Sequence, residues 1–143
     1  MRGTPAASLL CLAILFAGCS SPPGDDPPDA TGPPDPNLHA YVSNQSFDQP
    51  TADIQVTIDG VVLFDGEARV EGQHNWMLPE ARLVSGAHTV EAVERDSGVR
   101  ESRSFMLPPG QHRWIVVDFW NPAGDDEGPG FTITVHDEQV AFA

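Results

Sequence analysis

A chain of 143 residues with 21 acidic and 7 basic side chains, net charge −14 at pH 7, has room for one domain and repels phosphate backbones. It carries no basic stripe to counter that field, so nucleic acid is excluded as a partner. The only cysteines are Cys11 and Cys19, which leaves no disulfide, thiolate nucleophile or cysteine-ligated zinc downstream of residue 19.

Residues 1–18, "MRGTPAASLLCLAILFAG", carry one charge (Arg2) and then an apolar run from Ala6 to Ala17. That run is too short for a stable bilayer-spanning helix and has the charged and apolar regions of a secretory signal. It closes in "LFAGC", with small residues Ala17 and Gly18 directly before Cys19. Here the chain resembles a bacterial lipoprotein precursor, whose lipobox places small residues before a cysteine that is diacylated and becomes the new N-terminus. Phe16 stands where that motif usually has Leu. The resemblance implies lipidation at Cys19, anchorage to a membrane of the cell envelope, and, with Ser20 rather than Asp next in line, the outer membrane if the organism has two.

Residues 20–37 hold seven Pro, four Asp and no large apolar side chain. Such a stretch cannot bury enough surface to offset ordering, and its prolines favour extended conformations. With the lipidated Cys19 it makes a disordered tether over 19–37, reaching roughly 55 Å at about 3.1 Å per residue.

Residues 38–143 show alternation of apolar and polar side chains broken by turn dipeptides, the pattern of strands. "LHAYVS" and "DIQVTID" come first, the second with Ile54, Val56 and Ile58 on one face. Asp59-Gly60 fits a tight hairpin into "VVLF", which Asp65-Gly66 should end. "NWMLPEARLV" follows, with Pro79 placed at an edge or a bulge. Then come "HTVEAVE", "VRESRSFML", "HRWIVVDFW", the loop "NPAGDDEGPG", "FTITVHD" and a short "QVAF". Seven or eight strands at these intervals predict an all-β fold, an antiparallel β-sandwich. "VTIDG" and "WMLPEARLVSGAHTVEAVERDSG" resemble the Ig-like and transthyretin-like sandwich modules of bacterial surface proteins. That likeness implies spacer, adhesion or binding work, not catalysis; separately, no cofactor is expected.

Three Gly-x-His units, at His74, His88 and His112, invite a metal reading, because two or three imidazoles converging on one ion make a zinc or copper site. The plainer reading is that each opens a strand after a turn, half exposed. In "HRWIVVDFW" the alternation puts Ile115, Val117 and Phe119 on a core face and His112, Trp114, Val116, Asp118 and Trp120 on the other. Indole rings beside a carboxylate form the stacking and hydrogen-bonding surface that sugars use, and Trp76 could join it. The alternative is that these tryptophans are core. Asp125, Asp126 and Glu127 offer carboxylates for calcium, or simply a solvated acidic loop. No Gly-x-Ser-x-Gly elbow surrounds any serine. The expectation is a lipid-anchored envelope protein with a non-catalytic binding or structural module. Its partners are the membrane and a protein or glycan, with carbohydrate binding and histidine-based metal binding as the specific alternatives.

Overall fold

Two four-stranded sheets face each other in a β-sandwich, in a computed structural model that describes residues 35–46, 49–70, 75–122 and 128–142. The signal, Cys19 and the tether as far as residue 34, His74, and the acidic residues Asp125, Asp126 and Glu127 lie outside the described residues, whereas Asn37, expected at the end of the disordered tether, is buried and hydrogen-bonded to Ala81 and Leu83 as part of the sandwich. In chain order the strands are β1 (Leu38–Asn44), β2 (Thr51–Ile58), β3 (Val61–Arg69), β4 (Glu80–Ala81), β5 (Gly86–Glu94), β6 (Arg100–Leu107), β7 (Arg113–Trp120) and β8 (Gly130–His136). One sheet runs β4-β1-β7-β8 and the other β3-β2-β5-β6. Every neighbouring pair is antiparallel except β1 and β7, which are parallel. The sandwich is therefore not antiparallel throughout, since one strand from each end of the domain meets its neighbour running the same way.

Strand alternation builds the core as the sequence implies. Ile54, Val56 and Ile58 of β2 face Leu38 and Val42 of β1, Val90 of β5, Leu107 of β6, and Ile115, Val117 and Phe119 of β7 in one buried cluster. Asp59 and Gly60 both have positive φ, 51° and 79°, which is the two-residue hairpin turn whose twist matches the flanking strands.

Three expectations fail locally. β3 does not stop at Asp65-Gly66. It pairs on to Thr51↔Arg69, because Asp65 is held in register by Gln55 Nε2 at 3.1 Å and by Arg95. "NWMLPEARLV" forms no long strand. Met77 makes an isolated bridge to Val42, Pro79 follows, and only Glu80–Ala81 pair with β1, which puts Pro79 at the sheet edge as its missing donor requires. Residues 139–142 are not a strand. Instead Phe142 lies against Trp76, ring centroids 3.9 Å apart.

Candidate functional site

The outer face of the β4-β1-β7-β8 sheet carries the concentration of aromatic and titratable side chains. Register sets its rows. Glu80, His39, Trp114 and His136 lie side by side across the four strands; Tyr41, Val116 and Thr134 form the next row, and Ser43, Asp118 and Thr132 the one after. The alternation of β1 makes this possible, because Leu38, Ala40 and Val42 are buried against the other sheet and turn His39, Tyr41 and Ser43 outward.

A cleft of about 300 Å³ opens here, lined by His39, Tyr41, Leu78, Glu80, Trp114 and Gln139. Trp114 is half-buried and packs near-parallel to His39, with centroids at 5.4 Å and planes 15° apart, and to His112 at 5.8 Å and 21°. His39 Nδ1 meets Glu80 Oε1 at 2.7 Å and its Nε2 meets His112 Nδ1 at 3.2 Å. Leu78 is well exposed. An indole, an exposed aliphatic side chain, a phenol, a primary amide and a carboxylate thus surround one cavity, apolar surface interleaved with hydrogen-bonding groups.

Asp118 lies on the face the alternation assigns it, in the row of Ser43 and Thr132. It is half-buried and accepts a 2.6 Å hydrogen bond from Ser43 Oγ. Burial pushes its carboxyl above the usual range, only partly offset by hydrogen bonds from Ser43 and Trp76. It anchors the middle of the face. Ser43 is fully buried, donates to Asp118 and accepts from Gln45 Nε2, so its hydroxyl has a carboxylate partner and no route to solvent. Trp76 does reach this face, bonded to Asp118 and stacked on Phe142, which in turn meets Tyr41 edge-on at 5.0 Å. Trp120, at the far end of β7, is 42% exposed.

Among the described residues, the Gly-x-His histidines do not come together. His74 lies outside the described residues, and His88 and His112 belong to different sheets. His88 is also not half exposed. It points into the sandwich at 7% exposure, with Nδ1 2.6 Å from Asp59 Oδ2 and Nε2 2.8 Å from the Val84 carbonyl. Both neighbours are acceptors, so both nitrogens carry hydrogen and neither offers a lone pair to a metal. Burial alone would lower its pKa, but Asp59 and the Val84 carbonyl outweigh that and raise it. His88 ties the β2–β3 turn to β5.

Sequence reasoning missed His39, Tyr41, Glu80, Gln139 and Phe142. The signal for His39 and Tyr41 was present in the alternation of "LHAYVSN". Their meeting with Trp114 was not, because it depends on β1 pairing with a strand 75 residues away (His39↔Trp114). The chain matches no protein-family model, no curated protein and no solved structure, so its function is read from these residues.

Proposed function

We propose that this protein is a lipid-anchored component of the cell envelope, held through Cys19 and a Pro/Asp-rich tether, and that its β-sandwich is a non-catalytic binding module. The observation that carries the reading is the Trp114-floored cleft on the outer face of the β4-β1-β7-β8 sheet. A purely structural outer face has no use for an indole, an imidazole and a phenol around a cavity, and loses stability by leaving apolar surface in water.

A glycan is the ligand class that this lining favours. A sugar ring presents an apolar C–H face to an indole and hydroxyls to surrounding acceptors and donors, here Glu80, Gln139, Tyr41 and His39. The exposed Trp120 extends the aromatic surface along β7. The acidity of residues 38–143, 17 acids against 6 Arg, opposes polyanionic chains and points to neutral or amino sugars. A glycan array probed with the full chain in detergent tests this. Binding to one or more neutral or amino-sugar glycans, lost in Trp114→Ala and reduced in Trp120→Ala, is the expected result; no binding to any glycan rejects the ligand class. The anchor is tested apart from the ligand. Cys19→Ser moves the protein from the detergent phase to the aqueous phase of Triton X-114, and unchanged partitioning rejects the anchor.

A further inference from the structure

The separation of His39 Nε2 from His112 Nδ1, 3.2 Å, is close to the spacing of two ligands on one metal ion. Two nitrogens bound tetrahedrally at 2.0–2.1 Å stand about 3.3 Å apart. The ring planes are within 6° of parallel and the centroids 5.5 Å apart, longer than the N···N distance by about two ring radii. The two rings therefore lie edge to edge in nearly one plane, and the ring nitrogens point at each other.

Glu80 completes the arrangement from behind. Its carboxylate accepts from His39 Nδ1 at 2.7 Å, which keeps that nitrogen protonated and leaves Nε2 as the lone-pair atom. A carboxylate on the remote nitrogen of a histidine is what orients metal-ligating imidazoles and raises their basicity. We propose that His39 and His112 form a two-histidine binding site for a borderline-soft divalent cation, Cu(II), Ni(II) or Zn(II), with Glu80 orienting His39 and water completing the shell. In the pair as it stands one N–H lies between the rings. Metal entry needs His112 to carry its proton on Nε2 instead of Nδ1, so that both facing nitrogens present lone pairs. The lone-pair axes must then tilt from head-on to converge on the ion. The exposed His112, just ahead of β7, is the ring with room to turn. Trp114 lies near-parallel to both rings and supports the pair from the sheet, and the acidity of the chain raises the local cation concentration.

The site differs from the Gly-x-His grouping, since the partner of His112 is His39 and His88 takes no part. Its test is independent of any glycan. Isothermal titration of the untagged full chain in detergent with CuCl₂, NiCl₂ and ZnCl₂ at pH 7.5 should give one saturable site, tightest for Cu(II). Paramagnetic resonance of the copper form should show coupling to imidazole nitrogen. His39→Gln and His112→Gln each remove the site, whereas His88→Gln leaves it in place, provided that circular dichroism shows each variant folded. Glu80→Gln weakens the site by about tenfold or more without abolishing it. No saturable binding by any of the three ions, or binding unchanged in both His39→Gln and His112→Gln, overturns the proposal.

Discussion

His88 and Glu94 are polar residues on core positions of β5, and each survives there because its neighbours match its charge. Glu94 is fully buried. Burial would raise its pKa, but the Ser97 hydroxyl and amide, with the amides of Asp96 and Asp53, hold it below the usual carboxylate range. A carboxylate with a depressed folded pKa contributes stability above its ordinary value and loses it as pH falls through the folded one; a histidine with a raised pKa contributes below its ordinary value and loses it as pH rises through the folded one. Thermal melts should therefore show an acid limb below pH 4.5 and an alkaline limb above pH 6.5, and His88→Gln should flatten the alkaline limb alone. Glu94→Gln should cost about 1.5–3 kcal/mol in urea denaturation at pH 7, because donors aimed at a buried charge lose it. Asp118 has the opposite sign from Glu94. Its raised pKa means that folding disfavours its ionised form, so Asp118→Asn, which keeps an acceptor for Ser43, should help stability more at pH 7 than at pH 3. None of these environments was legible in the sequence. "GAHTV" gave the same signal as "GQHRW", and only the sheet assignment separates the buried His88 from the exposed His112.

At the scale of elements, the alternation in β7 was legible and the partner of each face was not. Phe119 and Trp120 are adjacent and both aromatic, yet one is 0% and the other 42% exposed. Phe119→Ala should cost about 3–5 kcal/mol, whereas Trp120→Ala should stay within about 0.5 kcal/mol; equal losses by urea denaturation would contradict the placement of the two faces. The elements that departed from expectation did so for tertiary reasons. A turn dipeptide stays inside β3 because Arg95, bonded to Asp53 and to Asp65, pulls the carboxylate back onto the sheet. "QVAF" reads as a strand from its apolar content, but that content serves Phe142, which covers Trp76. Phe142→Ala should remove roughly 0.5–1.5 kcal/mol of ring-pair stabilisation and shift Trp fluorescence to the red.

The whole molecule places its aromatic chemistry on one sheet, and the parallel β1–β7 pairing is what assembles it. That pairing brings "LHAYVSN" from the start of the domain beside "RWIVVDFW" near its end, and Glu80 and Gln139 arrive from the segments on either side. Local patterning legibly predicted the sandwich, the hairpin at Asp59-Gly60 and the face bearing Trp114. It could not predict the cleft, which exists only once strands distant in sequence are neighbours. The claim that this cleft is the ligand-binding face is tested most directly by measuring the affinity of an array-selected neutral glycan for the full chain and for its Trp114→Ala variant. The expected result is a loss of tenfold or more, equivalent to about 1.4 kcal/mol, with an unchanged circular dichroism spectrum. Equal affinity in the two proteins would place the ligand elsewhere and contradict the assignment.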